Sequence, residues 1–542
     1  MRQGKFRHFI LTSLLSVSIL NTGCLRMREF LPLSSTASTE VDDTEGSTCP
    51  KTMRHASPFA GGDGSAGNPW LICNATQFEQ IANHLSGNFK LASDVDFTGK
   101  THDVLGSDTN RFTGTLNGDG YAIKNWTVNS PNQVDTSPIA LFHTIDAGAV
   151  INNLDLKNFD LQGNNFVAGL VYTLFGTVNN MKISGSFKTR ASAAGIATYA
   201  FGSTIQNCTT LSGMTVYSSG DGSNLRDFVT PGQGSDMGIA GFVSMAADSS
   251  GQVNTFDNLI NHATITWNPS GYTLAGWVHT GGIISYPRSS NITNVTNYGA
   301  ISAVDEAGGI AGLFENFDCI MDHALNFGNV TGRDCVAGLA ANGTWGAEIH
   351  NSWTGGTITG RDAVGGIYGC GGDSGGVVAI NSASHANVLG RSKVGGVAGH
   401  FNGTMTDVLA MASVTGNDSA ASDYIAGVSP FTGGTISNVI MNQRNFSIFN
   451  GSFTQADIAF IDHYGSTISS TFYVAYGTVP GWGNTYASTG VATGSMTNPA
   501  QYAPLDFSVT GPWAMGSSTV YFDGTTHPLP RWMCALPDVT CL

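Results

Sequence analysis

One short pattern recurs through the middle of the chain and limits its possible folds more than any other feature. The pattern is two small residues followed by an aliphatic one, as in Gly308-Gly309-Ile310. A degenerate copy without glycine covers residues 139–142. The other copies have the central glycines Gly169, Gly195, Gly241, Gly282, Gly309, Gly338, Gly366, Gly396 and Gly427, and the spacing of the last five is nearly constant. Ten copies at a nearly fixed period indicate a stacked repeat protein.

Each repeat contains three segments that favour β-structure. An aliphatic residue followed two positions later by Asn or Asp marks one of them, as in Ile349 and Asn351. An apolar residue two positions before a glycine marks another, as in Ile358 and Gly360. Turn-forming residues separate the segments, and no helix of about 10 to 12 residues fits between them. We therefore predict an all-β fold, a parallel β-helix of about ten coils with roughly 28 residues each.

The stacking of such coils gives each mark a physical role. Strands in neighbouring coils lie about 4.8 Å apart, so every residue meets its equivalents in the coils above and below. We expect the glycines to allow tight bends at a corner of the coil. We expect the recurring Asn residues to adopt left-handed backbone angles and to hydrogen-bond along the stack.

These marks resemble those of the GLUG-motif repeats of bacterial secreted and surface proteins. The segment 59–127 is similar to the leader that precedes such repeats, and 521–532 is similar to their closing segment. The resemblance implies a right-handed parallel β-helix at the cell surface, in a family whose activities are varied. Some members carry a zinc metallopeptidase, but this chain has no HExxH sequence.

The first residues have the features of an export signal. Residues 1–23 combine a basic head with an apolar core at 9–20, which is too short to span a bilayer. The sequence before Cys24 resembles the lipobox of bacterial lipoproteins, although Asn21 departs from it. We predict a lipid attached to Cys24, with ordinary cleavage and a plain thiol as the alternative.

The rest of the chain divides by composition and period. Residues 24–56 are rich in Ser, Thr, Glu and Asp and predict a flexible tether. Residues 57–130 predict an N-terminal cap with the first coils, and its one helix begins at a capping box, Thr76 to Glu79. The repeats fill 131–442, and 443–542 is expected to form a C-terminal cap region over the other end of the stack.

The net charge limits the classes of ligand, and the cysteine content indicates the compartment. The formal net charge of −15 argues against nucleic acid or anionic lipid as a ligand. Nine cysteines suit an oxidising compartment. Cys534 with Cys541 and Cys49 with Cys73 are the most plausible pairs, and the remaining four beyond Cys24 are either paired or buried thiols. No metal site or other cofactor is predicted.

Two insertions lengthen the repeats near the centre of the chain. They cover 217–236 and 267–277 and are expected to project from the stack as loops. Their aromatic side chains are suited to stacking on sugars or on a partner protein, or they pack the loops onto the coil wall. The residues concerned are Tyr217, Phe228, Trp267, Tyr272 and Trp277.

Two further motifs suggest chemistry. Glu306, Asp334 and Asp362 follow one another at equal steps close to the repeat period, so they could form a row of carboxylates along the stack. Such a row could supply catalytic carboxylates, or it could be a solvated edge that blocks aggregation. Residues 370–376 match the nucleophile segment of chymotrypsin-like proteases, but the histidine segment of those enzymes is absent, so the motif is interpreted as a longer turn.

These observations favour one function and keep others open. The leading prediction is an exported lipoprotein of the bacterial cell envelope, anchored in the outer membrane or displayed at the cell surface. Its role would be non-enzymatic binding or adhesion, with a polysaccharide or a surface protein as partner. The alternatives are a polysaccharide-degrading enzyme, either lyase or glycosidase, and a purely structural envelope role.

Overall fold

A computed structural model defines the architecture of most of the chain. The described residues are 49, 58–131, 137–220, 237–247, 251–268, 278–316, 318–372, 374–416, 425–430, 432–442, 446–448, 458–461, 467–475, 488–492 and 497–542. The predicted signal, Cys24 and almost all of the predicted tether lie outside them.

Within the described residues, the strands form a large sheet of 41 strands, a narrow sheet of 10 and a C-terminal sheet of 3. The large sheet contains Trp70–Ile72, Asn88–Leu91, Val95–Asp96, Thr115–Asn117, Ala122–Lys124, Thr127–Asn129, Phe142–Ile145, Val150–Gln162, Val171–Leu174, Thr177–Thr189, Ala197–Phe201, Thr204–Thr210, Thr215–Ser218, Val243–Ala247, Asn254–Asn261, Thr264–Trp267, Ile284–Pro287, Ser290–Thr293, Thr296–Asn297, Ile301–Ser302, Ala311–Glu315, Ile320–Asp322, Leu325–Asn326, Val330–Thr331, Ala340–Thr344, Glu348–His350, Trp353–Thr354, Thr357–Thr359, Tyr368–Gly371, Val377–Ile380, Ala383–Ser384, Asn387–Gly390, Ala398–Thr406, Leu409–Ala410, Ser413–Gly416, Thr432–Ser437, Ile440–Met441, Phe446–Ile448, Thr467–Ser469, Thr471–Ala475 and Ser488–Ala492.

The two smaller sheets differ in direction. The narrow sheet is parallel and contains Phe166–Ala168, Ser192–Ala194, Met237–Ala240, Val278–Gly281, Ala307–Gly308, Asp334–Ala337, Asp362–Gly365, Ser392–Gly395, Ile425–Ser429 and Ile458–Ile461. The C-terminal sheet is antiparallel and contains Trp513–Ser517, His527–Pro530 and Thr540–Cys541. The predicted all-β parallel β-helix is confirmed, with about 11 turns rather than ten.

The repeated glycines stack directly on one another. Gly309 N donates to Ala337 O at 3.1 Å, and a Cβ atom built on Gly309 would lie 2.1 Å from the Gly338 carbonyl oxygen. The same overlap with the next coil recurs at Gly282 and Gly366, at 2.1 and 2.5 Å. None of these three glycines has a left-handed φ angle. The need for glycine is therefore close approach between coils rather than the tight bend that the sequence suggested.

The recurring Asn residues behave as expected. They take left-handed backbone angles, with φ of 54° at Asn180 and 51° at Asn381. Their side-chain amides donate along the stack, from Asn180 to Asn153 at 2.7 Å and from Asn381 to Asn351 at 2.6 Å. The amide ladder thus satisfies polar groups at a turn in each coil and fixes the register between coils.

A second polar ladder runs inside the stack. Asn261 Nδ2 donates to Asn297 Oδ1, and Asn297 Nδ2 donates to Asn326 Oδ1, both at 2.8 Å. All three side chains are fully buried. They occupy the space that a side chain on the stacked glycines would fill, because a Cβ on Gly309 would lie 2.6 Å from Asn326. Glycine and buried amide are therefore complementary features of the same coils.

The N-terminal cap contains the one α-helix of the described chain, Ala75–Glu79, followed by the 3₁₀ turn Gln80–Asn83. Its cap is Asn74, whose side chain accepts from Gln77 N, so the predicted capping box from Thr76 to Glu79 is wrong. The Gln77 side chain in turn accepts from Cys73 N at 2.7 Å. The cap lies two residues earlier than predicted because Asn is an equally good capping residue.

The C-terminal segment 497–542 packs along the side of the stack, which differs from the cap over its end that we predicted. It includes two 3₁₀ turns, Pro499–Tyr502 and Arg531–Ala535. Trp532 Nε1 donates to Asn381 O at 2.6 Å, and Trp513 Nε1 donates to Asp407 at 3.0 Å. Together with Tyr521, which packs on Trp353, these contacts reach several coils.

The surface beneath this segment is a column of outward-facing side chains at equivalent positions of successive coils. We call it the covered flank, and its members are Leu325, Trp353, Ala383, Leu409, Ile440 and Phe472. In earlier coils the same column carries Lys182, Thr209, Ile260 and Thr296, of which only Ile260 is apolar. The apolar part must be buried, and residues 497–542 bury it.

Three disulfides connect cysteines in the described residues. Cys49–Cys73 and Cys534–Cys541 confirm the two predicted pairs. A third bond joins Cys335 to Cys370 in successive coils. Cys208 and Cys319 are buried free thiols, and burial raises the pKa of each to about 12.

Candidate ligand-binding surface

A tight corner joins the narrow sheet to the large sheet in every coil. Only two residues separate the strand Val278–Gly281 from the strand Ile284–Pro287. Ser285 Oγ donates to the His279 carbonyl at 2.7 Å across this corner. A Cβ on Gly281 would lie 2.0 Å from the Ile284 carbonyl, so only glycine fits. The corner therefore brings side chains from both strands together along the outside of the stack.

Two corner residues in successive coils, His279 and Glu306, form a buried hydrogen-bonded pair. His279 and Glu306 occupy equivalent positions in successive coils, next to the paired residues Thr280 and Ala307. His279 Nδ1 bonds the Glu306 carboxylate, and Asn342 Nδ2 donates to its other oxygen at 2.9 Å. Burial opposes ionisation of Glu306, but the charge of His279 and the hydrogen bonds from His279 and Asn342 outweigh it, so its pKa is lowered. This carboxylate is a packed structural group.

The third disulfide repeats the same arrangement one coil later. Cys335 occupies the position that Glu306 has in the preceding coil, and Cys370 occupies that of Asn342. The hydrogen bond between Glu306 and Asn342 is thus replaced by a covalent bond. Both connections join a residue before the corner to a residue after the next corner, which ties neighbouring coils together.

The predicted carboxylate row exists, but with one different member. The register pairs Asp334 with Asp362, while the Asp334 equivalent in the preceding coil is Asp305. Glu306 lies one position further on, with a left-handed φ of 37°, and points into the buried cluster. The prediction that Glu306 belongs to the row is therefore wrong. The coil from Asp305 to Asp334 is one residue longer than the coil from Asp334 to Asp362, so Asp305 takes the place in the row.

Basic side chains neutralise most of this row. Arg333 bridges Asp305 at 3.1 Å and Asp334 at 3.0 Å, and Arg361 Nε donates to Asp334 at 2.8 Å. Lys393 lies 3.9 Å from Asp362. Burial raises the pKa of Asp305 to about 6, although Arg333 lowers it. The row is an alternating ladder of opposite charges rather than a set of free carboxylates.

The predicted aromatic loop residues divide into those that the structure describes and those that it does not. Trp267 is 1% exposed, and its Nε1 donates to Gly220 O at 2.8 Å, so it packs on the coil wall. Of the two alternatives left open for Trp267, its position agrees with packing on the wall and not with a binding surface. Tyr217 is half-buried on a strand that pairs with the coils on both sides. Phe228, Tyr272 and Trp277 lie outside the described residues.

The segment that matches serine proteases forms a turn at the edge of a coil. Cys370 is in the disulfide with Cys335, and Gly372 has a left-handed φ of 88°. Ser374 is exposed, and its carbonyl accepts from Trp345 N at 2.8 Å. The geometry of the turn therefore accounts for the presence of Gly372 and Ser374 at these positions. Asp373 lies outside the described residues.

A surface column of aromatic rings was not predicted. His262, Tyr298 and Phe327 stack at centroid distances of 5.0 Å, with interplanar angles of 6° and 11°. The repeated sequences Asn297-Tyr298-Gly299 and Asn326-Phe327-Gly328 were a usable signal for it. Because the rings cover each other's faces, the column stabilises the stack and offers a ligand mainly ring edges.

The described residues contain neither a metal-binding cluster nor a membrane-spanning helix. No group of three or more His, Cys, Asp or Glu side chains there is placed to hold a metal ion. Among the helices of the described residues, none is long and apolar enough to cross a membrane.

Sequence comparison gives partial relatives. No known family profile matches the chain. A stretch of 139 residues is 31% identical to "Putative Gly-rich membrane protein" of Evansella cellulosilytica, covering 24% of this chain and 16% of that protein. A stretch of the same length is 30% identical to "Halomucin" of Haloquadratum walsbyi, covering 23% of this chain and 2% of that protein. The chain therefore spans less than a fifth of either curated relative.

Comparison with solved structures gives distant β-rich neighbours. One is described as a putative immunoglobulin A1 protease from Bacteroides ovatus, with 14% identity, 88% of this chain and 96% of that chain covered, and a TM-score of 0.26. Another is an IgA1 protease, with 15% identity, 80% and 24% covered, and a TM-score of 0.29. Such low scores support no inference about activity.

Proposed function

We propose that this chain is a surface lipoprotein of the bacterial cell envelope whose β-helix acts as a non-enzymatic binding module. The observation that carries the proposal is the charge ladder of Asp305, Arg333, Asp334 and Arg361. Glycosidases need one carboxyl group as an acid and a second as a nucleophile or base, facing a substrate. Here Asp305 and Asp334 are engaged with arginines, Lys393 lies 3.9 Å from Asp362, and Glu306 is buried against His279.

The scaffold suits a module that presents a surface at a distance from an anchor. Glycine contacts, the two amide ladders and the disulfide between Cys335 and Cys370 hold neighbouring coils in one register. A stack held in this way keeps its outer side chains at fixed positions, which lowers the entropic cost of binding an extended ligand. Three disulfides also suit a protein that leaves the cytoplasm.

Location is supported by the sequence and by the names of the relatives. The first residues have the features of an export signal, and the repeats resemble GLUG-motif repeats of surface proteins. The partial relatives are named as a membrane protein and a halomucin. We propose attachment to the outer membrane or cell surface through a lipid on Cys24.

The anchor has a direct test. Changing Cys24→Ala should move the protein from the membrane fraction to the soluble fraction, because the variant lacks the attachment site of the acyl chains that would hold it in the bilayer. A Cys208→Ala variant is the matched control, since that thiol is buried in the stack. Retention in membranes of a Cys24 variant from which residues 1–23 have been removed would rule out lipid anchoring.

The function is tested with the full chain in detergent and a panel of polysaccharides. Retention on immobilised polysaccharide and the release of new chain ends are recorded together. Retention without new ends is expected. New chain ends that disappear in a folded Asp334→Asn, Asp362→Asn variant would instead establish the alternative, a polysaccharide-degrading enzyme.

A further inference from the structure

The boundary between the C-terminal segment 497–542 and the covered flank contains an imidazole ring. His385 lies two positions after Ala383, a member of the covered flank in the same coil. Its backbone N donates to Thr354 O in the preceding coil at 2.8 Å, which fixes it in the stack. On the other side of the boundary lies Phe522 of the C-terminal segment, with its ring centroid 5.9 Å away and the planes at 72°. His385 therefore lies at a contact between two parts of the fold.

The surroundings of His385 disfavour a charge on its ring. Burial lowers the pKa of His385 below the ordinary value of 6.5, and the negative charge of Asp523 offsets only part of this effect. The equivalent residues of the neighbouring coils, Gly355 and Met411, carry no charge. Asp523 also forms a turn, since its Oδ1 accepts from Thr525 N at 2.9 Å. The docked segment therefore favours the neutral imidazole.

Phe522 also contacts a second imidazole, that of His527. The two ring centroids are 4.7 Å apart, with the planes at 88°. His527 is fully buried, and its Nδ1 donates to the Pro528 carbonyl at 2.7 Å. Because His527 and Phe522 both belong to the C-terminal segment, separation of the segment from the stack does not require this contact to break. The contact between Phe522 and His385 must break.

A third histidine at the boundary has different surroundings. His323 contacts Trp532 of the C-terminal segment, with the ring centroids 5.5 Å apart. Its side chain is 45% exposed, and its Nδ1 lies 3.1 Å from Asp322 Oδ1. A proton on His323 is therefore solvated and paired with a carboxylate while the segment is docked. His323 provides a natural comparison for His385.

We propose that His385 forms an acid-sensitive contact, in which protonation of its ring weakens the docking of the C-terminal segment and exposes the covered flank. Docking is strongest above the ordinary histidine value of 6.5, where the ring is neutral in both states. As the pH falls through that value, the separated state takes up a proton that the docked state disfavours. The covered flank is thus exposed more often in an acidic environment, independently of the proposed binding function.

The size of the effect has an upper limit. A histidine that is neutral when docked and has its ordinary pKa when separated raises the separated fraction about tenfold between about pH 7.5 and 5.5. The charge of Asp523 makes the expected increase smaller than this limit. Asp305, whose pKa is raised to about 6, titrates in the same range, but it is present in every variant and cancels in the comparison with the parent.

The test uses the full chain in detergent and measures the rate of trypsin cleavage after Arg531, the only Lys or Arg in 497–542. The Arg531 side chain donates to Gly511 O at 2.6 Å, so the folded segment holds this site. Cleavage of a free peptide with the sequence of residues 527–536 at each pH corrects for the pH dependence of the protease. The corrected rate follows the open fraction when opening and closing are fast.

Two substitutions remove the titrating ring. His385→Phe keeps an aromatic side chain against Phe522, and His385→Gln keeps a polar one. The matched controls are His323→Phe and His323→Gln, at the exposed histidine of the same boundary. Far-UV circular dichroism at each pH reports whether each variant is folded.

We expect the corrected rate of the parent to rise about three- to tenfold from about pH 7.5 to 5.5, and that of both His385 variants to rise at least about twofold less. Both His323 variants should follow the parent. A parent rate that does not rise would overturn the proposal, and so would an equal rise in the parent and in the folded His385 variants. Loss of the rise in the His323 variants would assign the effect to the contact with Trp532 instead.

Discussion

The stacked glycines lead to a prediction whose size follows from the structure. In Gly309→Ala the new Cβ would lie 2.1 Å from the Gly338 carbonyl oxygen, and relief to about 3.2 Å requires the two coils to separate locally by about 1 Å. At that separation the bond from Gly309 N to Ala337 O, now 3.1 Å, exceeds hydrogen-bonding distance.

Two more bonds are lost with it. Ile310 N and Ala311 N both donate to Leu339 O at 3.0 Å and move with the same strand. At a net contribution of about 1 kcal/mol each, the loss of three bonds lowers the free energy of unfolding by about 3 kcal/mol. The Asn326 side chain, 2.6 Å from the new atom, has no room to accommodate it.

The assay is urea and thermal unfolding followed by far-UV circular dichroism, with Gly67→Ala as the matched control. A Cβ on Gly67 meets nothing within 4 Å, and its φ is not left-handed, so this change should be neutral or slightly stabilising. If Gly309→Ala and Gly67→Ala unfold at the same midpoint, close approach is not the reason for glycine in these repeats.

Three further predictions concern the corner and the flank. Glu306→Gln should cost about 3 kcal/mol near neutral pH because it breaks the buried pair with His279. The lowered pKa of Glu306 means that its contribution is present above the ordinary value of 4.5 and is lost as the pH falls through the folded value, so urea titrations of variant and parent should converge in acid. Replacing Cys335 and Cys370 by Ser should lower the thermal midpoint and the free energy of unfolding by about 2 to 4 kcal/mol. Trp513→Ala should free the C-terminal segment, seen as faster proteolytic cleavage within 497–542.

Each of these predictions has a control and an opposing result. Glu348→Gln, at a partly exposed pair, should change stability little, and equal effects of the two Gln variants would contradict the importance of burial. Replacing the local pair Cys534 and Cys541 should cost less than the bond between coils, since it closes a shorter loop. Trp345→Ala, at a half-exposed ring, should leave proteolysis unchanged, and protection of 497–542 in the Trp513 variant would mean that other contacts hold the segment.

The features that sequence predicted best are those that depend on one coil at a time. The left-handed Asn residues, such as Asn351, reflect a local backbone need that recurs in each repeat. The period of the glycines also indicated the stack, although the glycines are required by contacts between coils rather than by a local bend. Two disulfides were also predictable, because Cys534 and Cys541 are close in the chain and a bond between Cys49 and Cys73 would tie the predicted tether to the cap.

Features that depend on register between coils were predicted less well. Repeating the step from Asp334 to Asp362 backwards along the chain placed Glu306 in the carboxylate row, whereas the preceding coil is slightly longer and Asp305 takes that place. A shift of one position changes which side chains face each other along the stack. The pairing of Cys335 with Cys370 requires the same register and could not be deduced from spacing alone.

The covered flank corresponds to a change in side-chain polarity that the sequence contains. Two positions after the ladder residue, the side chain is polar in most early coils, as at Lys182 and Thr209, with Ile260 as an exception, and apolar in later coils such as those of Leu409 and Ile440. The sequence contains the change in polarity, but only the structure identifies 497–542 as the segment that covers these residues.

The covered flank also has a consequence for the order of folding. A chain is synthesised from its N-terminus at about 5 to 20 residues per second, so the coils up to Phe472 emerge before the segment 497–542 that buries their apolar column. Coils before Leu325 do not contribute to the covered flank, so they can stack on one another as they emerge. The later coils must wait for the end of the chain, which makes the interval before its arrival the period of greatest risk of misassembly between chains.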